Sequence, residues 1–151
     1  MRRQKSPFII IIPFTLLVMV VLIFTLIPSE TQQARKIVNK FYSYEQKANF
    51  DSSWELFHAK MKNKFSKSAY MQDRVHTFMG HFGADTFTYS ITKPKKVNSW
   101  KMTKEDEPME VYEVVVTKDF KGKYGHFTFS QYVYVSLDED EPSILWDYKE
   151  S

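Results

Sequence analysis

The feature that most constrains this chain is an apolar stretch near its start, residues 8–27, which has 20 residues and no charge. At about 1.5 Å of rise per residue, a helix of this length spans the roughly 30 Å hydrocarbon core of a bilayer. Secretory signal peptides have shorter apolar regions that end in small residues, and Ile27 and Ser29 around Pro28 make a poor cleavage site. We therefore predict an uncleaved transmembrane anchor, with a removed signal peptide as the alternative.

The charges around this stretch predict its orientation. Arg2, Arg3 and Lys5 precede it, and Glu30 is the first charged residue after it. The positive-inside rule then leaves residues 1–7 in the cytoplasm as a short N-terminus. We expect a single-pass protein of the cell membrane whose residues 30–151 form one extracytoplasmic domain.

The composition of residues 30–151 excludes some classes of protein. Three of the 21 Lys and Arg residues precede the apolar stretch, so 18 remain against 18 Asp and Glu residues. A formally neutral domain outside the membrane, without a pattern of stacking aromatics between basic residues, is not expected to bind nucleic acid. The chain has no cysteine, so its stability must come from a core built with aromatic residues, which are 17% of the chain.

The first half of the domain has the spacing of amphipathic helices. Three helices are predicted, the second with Ser52 and Glu55 as a capping box and the third ending near Gly83. The residues expected on their buried faces are, in turn, Ala34, Ile37, Val38, Phe41, Tyr44 and Ala48; Trp54, Phe57, Met61 and Phe65; and Met71, Val75, Phe78, Met79 and Phe82.

The second half alternates with the period of two that is typical of strands. Strands are predicted at residues 86–92, 109–116 and 124–137, with a last one around Ile144, Trp146 and Tyr148 and a break at residues 93–96. Helices followed by strands joined by hairpins indicate an α+β domain in which helices cover one face of an antiparallel sheet.

This order of elements resembles the NTF2-like (cystatin-like, cone-shaped) superfamily. More narrowly, FYSYEQKANFDSSWELF at residues 41–57 and SILWDY at residues 143–148 look like the NTF2-like N-terminal module of penicillin-binding transpeptidases. The resemblance covers about residues 32–149, and the chain has no SDN or KTG motif. It therefore implies an NTF2-like domain after the anchor, without the transpeptidase and without its crosslinking activity.

The resemblance implies a cone whose mouth holds a ligand, and four polar residues are candidates for lining it. Gln131 interrupts an apolar series on the face of its strand that we assign to the core, and Asp147 is an alternative acid. Asp73 and His76 are three positions apart on a helix, as a carboxylate that orients a general base would be. Both lie off the predicted apolar stripe, however, which favours a solvated pair. We predict no catalytic residue, metal or cofactor.

The opposite face of the long strand supplies a candidate interface, because Tyr124, Thr128, Tyr132 and Tyr134 alternate along it. Tyrosine is common at the energetic centres of interfaces. We expect a non-enzymatic interaction module of the bacterial cell envelope that binds a membrane or cell-wall protein. The alternatives are a small-ligand-binding or isomerase/dehydratase-like cone, and an oligomeric component of a secretion or conjugation channel, which would be a homo-oligomer.

Overall fold

The computed structural model describes residues 19, 28–81, 83–84, 86–138 and 140–148. The predicted cytoplasmic N-terminus, residues 1–7, and the predicted anchor, residues 8–27, lie outside this part of the chain except for Met19. Among the described residues, no helix combines the length and the apolar composition that crossing a membrane requires. The described domain begins at Pro28.

Helix α1 spans Glu30–Gln46 and corresponds to the first predicted helix. Ser29 caps it in a capping box, because the Ser29 hydroxyl accepts from the Gln32 backbone N–H at 3.3 Å and Gln32 Oε1 accepts from the Ser29 N–H at 2.9 Å. The helix packs across the sheet. Its buried face consists of Ala34, Ile37, Val38, Phe41, Tyr42 and Glu45, so Tyr42 and Glu45 take the places predicted for Tyr44 and Ala48.

The prediction of one second helix is wrong, because the chain forms two short helices, α2 at Phe50–Glu55 and α3 at Ala59–Lys64. The cap of α2 is Asn49 rather than the predicted Ser52, and its side chain accepts from the Ser52 backbone N–H at 3.3 Å. An aspartate or asparagine in this position satisfies a backbone donor that has no partner within the helix.

The break between α2 and α3 has a tertiary cause. The backbone at residues 56–58 pairs with Ile144, whose N–H donates to Leu56 O at 2.8 Å and whose carbonyl accepts from the His58 N–H at 2.9 Å. Phe57, between these two bonds, is buried. The helical repeat of apolar residues is real, but backbone groups that bond to a distant strand cannot also continue the helix.

Helix α4, Lys67–Arg74, begins at Ser66, whose side chain accepts from the Ala69 N–H at 3.2 Å. The chain continues as a π-helical segment at Val75–His81. Gly83 has a φ of 57°, the left-handed conformation expected after a helix end.

The buried face of α4 differs from the prediction. Tyr70 is 4% exposed and the side chain of Arg74 is 16% exposed, whereas Val75 is 48% exposed and Met71 is only half-buried. The stripe predicted through Met71 and Val75 is therefore wrong, because Tyr70 and Arg74 face the interior. The remaining side chains of that stripe, Phe78, Met79 and Phe82, lie outside the described part of the chain.

The described strands form one curved antiparallel sheet: β1 at Phe87–Ile91, β2 at Lys95–Trp100, β3 at Met109–Gly122, β4 at Gly125–Ser136 and β5 at Ser143–Leu145. Strand β3 pairs with β4 along one edge, while β1 and β2 share its other edge; β5 pairs with β4. The predicted α+β class is confirmed. Strand β2 was not predicted, and β3 extends past the predicted end to Gly122.

The two faces of the sheet are covered differently. On the inner face, under α1, alternate residues of β3 such as Val114, Val116 and Phe120 are fully buried. On the outer face, Trp100 at the end of β2 stacks on Tyr134 of β4 with ring centroids 4.4 Å apart. The inner face therefore carries the core, and the space that remains there beyond α1 is the candidate site.

Candidate functional site

A cavity of about 550 Å³ lies between α4 and the inner face of β3 and β4, and we call it the central cavity. Its aromatic lining consists of Phe65, Tyr70, Phe120, Phe127, Phe129 and Trp146. Its polar lining consists of Asp73, Arg74, Thr77, Lys118, Thr128 and Gln131. Ligand sites are usually concave, mostly apolar and marked by a few placed polar groups, which is the composition found here.

Glu45 is 4% exposed and does not line the cavity, but it contacts the lining residues Tyr70 and Arg74. We call this part of the cavity, with Lys118, its closed end. Its carboxylate accepts hydrogen bonds from the hydroxyls of Tyr70 and Ser53, the latter at 2.9 Å, and pairs with Arg74, whose Nε lies 3.3 Å from Oε2. Burial and the adjacent carboxylate both raise the pKa of Tyr70. A buried carboxylate is tolerated when several donors surround it, and we call these four side chains the Glu45 cluster.

The guanidinium of Arg74 contacts the Glu45 carboxylate at its edge and aromatic rings at its faces. Its guanidinium carbon lies 4.8 Å from the ring centroid of Trp146 and 5.2 Å from that of Tyr70. Stacking on aromatic faces suits the planar, weakly hydrated guanidinium. Arg74 is thereby fixed between the Glu45 cluster and the cavity that it lines.

Lys118 supplies a second buried cation. It lies on the inner face of β3, 1% exposed, with its Nζ 5.0 Å from the ring centroid of Phe129 and 5.4 Å from that of Tyr42. Burial lowers the pKa of Lys118 to about 8, with a further lowering from nearby Arg74 and an opposing effect from Glu45. Desolvation disfavours the charged form of a lysine, which is why burial lowers this pKa.

Gln131 lines the central cavity from β4, as its position in the alternating series predicted. Its Oε1 accepts from the Tyr42 hydroxyl at 3.2 Å. Burial raises the pKa of that hydroxyl, which therefore stays a donor. The amide that interrupts the apolar series thus has an internal partner in α1 and also lies at the cavity wall.

The indole of Trp146 interacts with the Tyr42 hydroxyl at the cavity wall. Its Nε1 is buried without a partner at good hydrogen-bonding geometry, but it is close enough to the Tyr42 hydroxyl to lower the pKa of that group, against the larger raising effect of burial. Trp146 forms part of the cavity lining and also packs edge-on against Phe57, with centroids 4.7 Å apart.

The predicted Asp73 and His76 pair is not brought together as a catalytic dyad within the cavity. Asp73 is exposed and lines the central cavity, and it shares a neighbouring open hollow with His76, which does not line the central cavity. The Nε2 atom of His76 lies 2.8 Å from Nε2 of His81 on the π-helical segment. Among the described residues, no group of three or more His, Asp or Glu side chains is placed to hold a metal ion.

Asp147, the fourth candidate for the pocket, lies on the other side of the sheet. It is exposed, and its Oδ2 accepts from the Tyr134 hydroxyl at 3.4 Å. The chain after β5 therefore turns Trp146 towards the cavity and Asp147 away from it.

The four candidate interface residues do not form one exposed row. Tyr124 is 82% exposed and Tyr132 is 54% exposed, and the Thr128 hydroxyl donates to Asp119 at 2.7 Å. Tyr134, however, is 6% exposed under Trp100, so its prediction as an exposed interface residue is wrong. The unpredicted strand β2 explains the difference, because it brings Trp100 over Tyr134.

Sequence reasoning missed Glu45, Arg74 and Lys118, although two of them carry a signal. Lys118 continues the alternation of Val114 and Val116, and Glu45 follows Phe41 by four residues on the buried face of α1. A charged residue in phase with an apolar pattern is a candidate for functional burial. No such signal was present for Arg74, because the buried face of its helix was predicted to run through Met71 and Val75.

Comparison with known proteins adds no family to these observations. No known protein family matches the chain, and no curated protein is similar to it in sequence.

Proposed function

We propose that this domain is a ligand-binding module, tethered to the outer side of a bacterial cell membrane, whose NTF2-like cone binds a small and largely apolar molecule. The observation that carries the proposal is the central cavity of about 550 Å³, with its six aromatic side chains and its charged closed end. Cavities of roughly 300–1,000 Å³ with this kind of lining are typical sites for small molecules.

Binding without chemical transformation fits the state of the ionisable groups. Glu45 is engaged by Ser53, Tyr70 and Arg74, so its oxygens are committed to the protein rather than to a substrate. Asp73 lines the cavity but is exposed, so it is solvated rather than enclosed by the apolar lining. A general base needs both access to the substrate and an environment that tunes it, and neither acid combines the two.

The tether and the NTF2-like assignment rest on the sequence. Residues 8–27 are long and apolar enough for one span, and the basic residues before them favour a cytoplasmic N-terminus. An antiparallel sheet with helices on its inner face and a cavity between them is compatible with a cone-shaped domain. A tethered domain of this kind samples ligands close to the membrane surface, where apolar molecules concentrate.

The test uses 1-naphthaleneacetamide, a neutral aromatic probe, with the full-length protein in a non-ionic detergent. Saturation-transfer NMR should detect binding to the wild-type protein, after subtraction of protein-free micelles. Thr77→Trp fills the cavity from the π-helical segment and should abolish the signal. The control Thr117→Trp adds the same bulk on the outer face of β3, where the hydroxyl lies 3.0 Å from that of Ser130, and should leave binding unchanged.

Absence of a signal from the wild-type protein, or equal signals from wild type and Thr77→Trp, would reject ligand binding in the cone. A thermal unfolding curve for each variant shows that a lost signal does not come from a lost fold.

A second candidate function, capture of a membrane or cell-wall protein, is favoured by the exposure of Tyr124 and Tyr132. The test is crosslinking in membranes, affinity purification of the tagged protein and mass spectrometry. A docking face here predicts that Tyr124→Ser with Tyr132→Ser releases a partner that Thr77→Trp retains. If the double variant captures the same proteins, this face is not the interface. The size of the purified complex reports on the channel-like oligomer in the same experiment.

A further inference from the structure

Two histidines meet on the π-helical segment, Val75–His81, that follows α4. Nε2 of His76 lies 2.8 Å from Nε2 of His81, and the two rings stand edge to face with centroids 4.3 Å apart. Both residues are exposed. The outermost nitrogens of the two side chains therefore meet at the surface, where an ion from solution can reach them.

The π-helical backbone is what brings these rings together. An α-helix turns by about 100° per residue, so side chains five positions apart would lie about 140° apart around its axis. The wider π-helical turn bonds the backbone groups of residues five apart and so places such residues above one another. π-helical turns are rare and occur frequently at functional sites, which makes the purpose of this pair worth asking.

A hydrogen bond alone is a weak reason for the arrangement. It needs one Nε2 to donate to the other, and at an exposed position water offers both nitrogens the same contact. Neutral imidazole is also a preferred ligand of zinc and other divalent transition-metal ions.

The observed distance is close to the one that a shared metal ion requires. Two nitrogens that bind one zinc ion at about 2.0–2.1 Å each, with tetrahedral geometry, lie about 3.3 Å apart. The two Nε2 atoms, 2.8 Å apart, would have to separate by only about 0.5 Å. Exposed side chains can make this change by small rotations.

We propose that His76 and His81 form a site for a divalent transition-metal ion of the Zn²⁺ type, bound through Nε2 of both rings. Each ring then carries its proton on Nδ1. Within the described residues no third His, Asp or Glu is placed with this pair, so water completes the coordination. Structural zinc sites have four protein ligands, and a site with two binds its ion reversibly.

The ion would also act on the central cavity. Thr77 of the same segment lines that cavity, between the two histidines in sequence. An ion held by both rings favours the π-helical conformation over any other that separates them. Bound metal should therefore stabilise one wall of the central cavity.

The first test is isothermal titration of Zn²⁺ into the full-length protein, without a polyhistidine tag, in non-ionic detergent at pH 7.5. His76→Gln and His81→Gln each remove one ligand and keep a polar side chain. Each should weaken binding at least tenfold, because even groups that only support a metal ligand contribute about 10- to 100-fold. The control His126→Gln changes a histidine on the outer face of the sheet, with a side chain that is 62% exposed, and should leave the affinity unchanged.

Absence of Zn²⁺ binding to the wild-type protein would overturn the inference. Equal affinities of the wild type and of both glutamine variants would overturn it as well, because the ion would then bind elsewhere.

The second test separates this site from the acidic turn at residues 138–141. Ca²⁺ prefers carboxylate oxygens, whereas imidazole suits Zn²⁺, Ni²⁺ and Cu²⁺. Excess Ca²⁺ should therefore leave Zn²⁺ bound, and Ni²⁺ should displace it. Displacement by Ca²⁺ would place the ion among carboxylates and overturn the inference.

The third test asks whether the ion holds the π-helical segment. Hydrogen exchange of the backbone amides at residues 75–81, measured by mass spectrometry, should slow about tenfold at a Zn²⁺ concentration ten times the dissociation constant. The same peptide of His81→Gln should not change at that concentration. Zn²⁺ that binds without slowing exchange in this segment does not bridge the two histidines, and this result would overturn the inference.

Discussion

Two groups of charged side chains, one buried and one at the surface, show what burial does to similar contacts. On the surface of α2 and α4, Lys67 Nζ lies 2.6 Å from Asp51 and 2.7 Å from Glu55. In the Glu45 cluster the ion-pair distance to Arg74 is longer, 3.3 Å. Exposure separates them, because the surface carboxylates are 63% and 60% exposed and that of Glu45 is 2% exposed.

The comparison teaches that distance is a poor guide to the energy of an ion pair. Water and salt screen the surface group, which is free to rearrange, so each of its contacts contributes little. Within the Glu45 cluster no water replaces a lost partner, and removing one group leaves others buried and unsatisfied. The buried cluster therefore fixes the closed end of the central cavity, while the surface group does not affect it.

The largest effect is expected from Glu45→Ala. It leaves the Arg74 guanidinium without its carboxylate and the hydroxyls of Tyr70 and Ser53 without their acceptor. We expect a loss of about 3–5 kcal/mol in the free energy of unfolding, measured by chemical denaturation. A loss below about 1 kcal/mol would mean that water reaches the cluster and that the contrast between the two groups is false.

Lys118→Met should act in the opposite direction, because it removes a buried ammonium and keeps the apolar stem. We expect a gain of about 1–3 kcal/mol at pH 7 in the absence of ligand. This gain would identify Lys118 as a buried charge that the domain keeps at the expense of stability. A destabilised variant would instead mean that the contacts of the ammonium with Tyr42 and Phe129 outweigh its desolvation.

The same residue predicts how stability changes with pH. The folded pKa of Lys118, about 8, lies below the ordinary value of 10.5, so between these values the unfolded chain holds the proton that the folded chain has lost. Stability should therefore rise from pH 8 to about pH 10, and the rise should be absent in Lys118→Met. Above pH 10 the buried tyrosines, whose pKa values are raised, reverse the trend. Denaturation curves across this range measure both slopes.

Ser53→Ala is expected to have a smaller effect within the buried cluster. The Ser53 hydroxyl lies 2.9 Å from both the Glu45 carboxylate and the Tyr70 hydroxyl, but Glu45 keeps Tyr70 and Arg74 as donors. We expect a loss of about 1 kcal/mol, the net contribution of one such bond. A loss as large as that of Glu45→Ala would show that the cluster fails as a unit when any member is removed.

The smallest effect is expected from Glu55→Ala at the surface. Lys67 retains Asp51, and the lost contacts are open to solvent. The free energy of unfolding should change by less than about 0.5 kcal/mol, and this difference should shrink as salt is added. Exposed ion pairs contribute at most about 1 kcal/mol. A loss of about 2 kcal/mol or more would therefore contradict the comparison.

Local patterns predicted the elements whose contacts are local. The alternation of β1 and of β4 depends on neighbours in sequence, and both strands were predicted. The break at residues 56–58 depends on Ile144, far along the chain, and no local pattern contains it. The bounds of an element that pairs with a residue far along the chain can be determined only from the tertiary structure.

The candidate site was partly predictable for the same reason. Gln131 was found because its position in an alternating strand fixes its face. Tyr70 and Arg74 are four residues apart in α4 and so share one face, but which face points inward depends on the packing of α4 against α2. The pattern of apolar residues predicts which positions form the core. A buried charged residue is recognised only when the structure shows the residues that surround it.

The measurement that tests this account most directly is an NMR titration of the lysine side chains in the full-length protein labelled with ¹³C-lysine, with Lys118→Met identifying the signal. Lys118 should titrate near pH 8, because burial disfavours its charged form. If Lys118 titrates at the ordinary value of 10.5, burial does not control the charges around the central cavity and the contrast with the surface group fails.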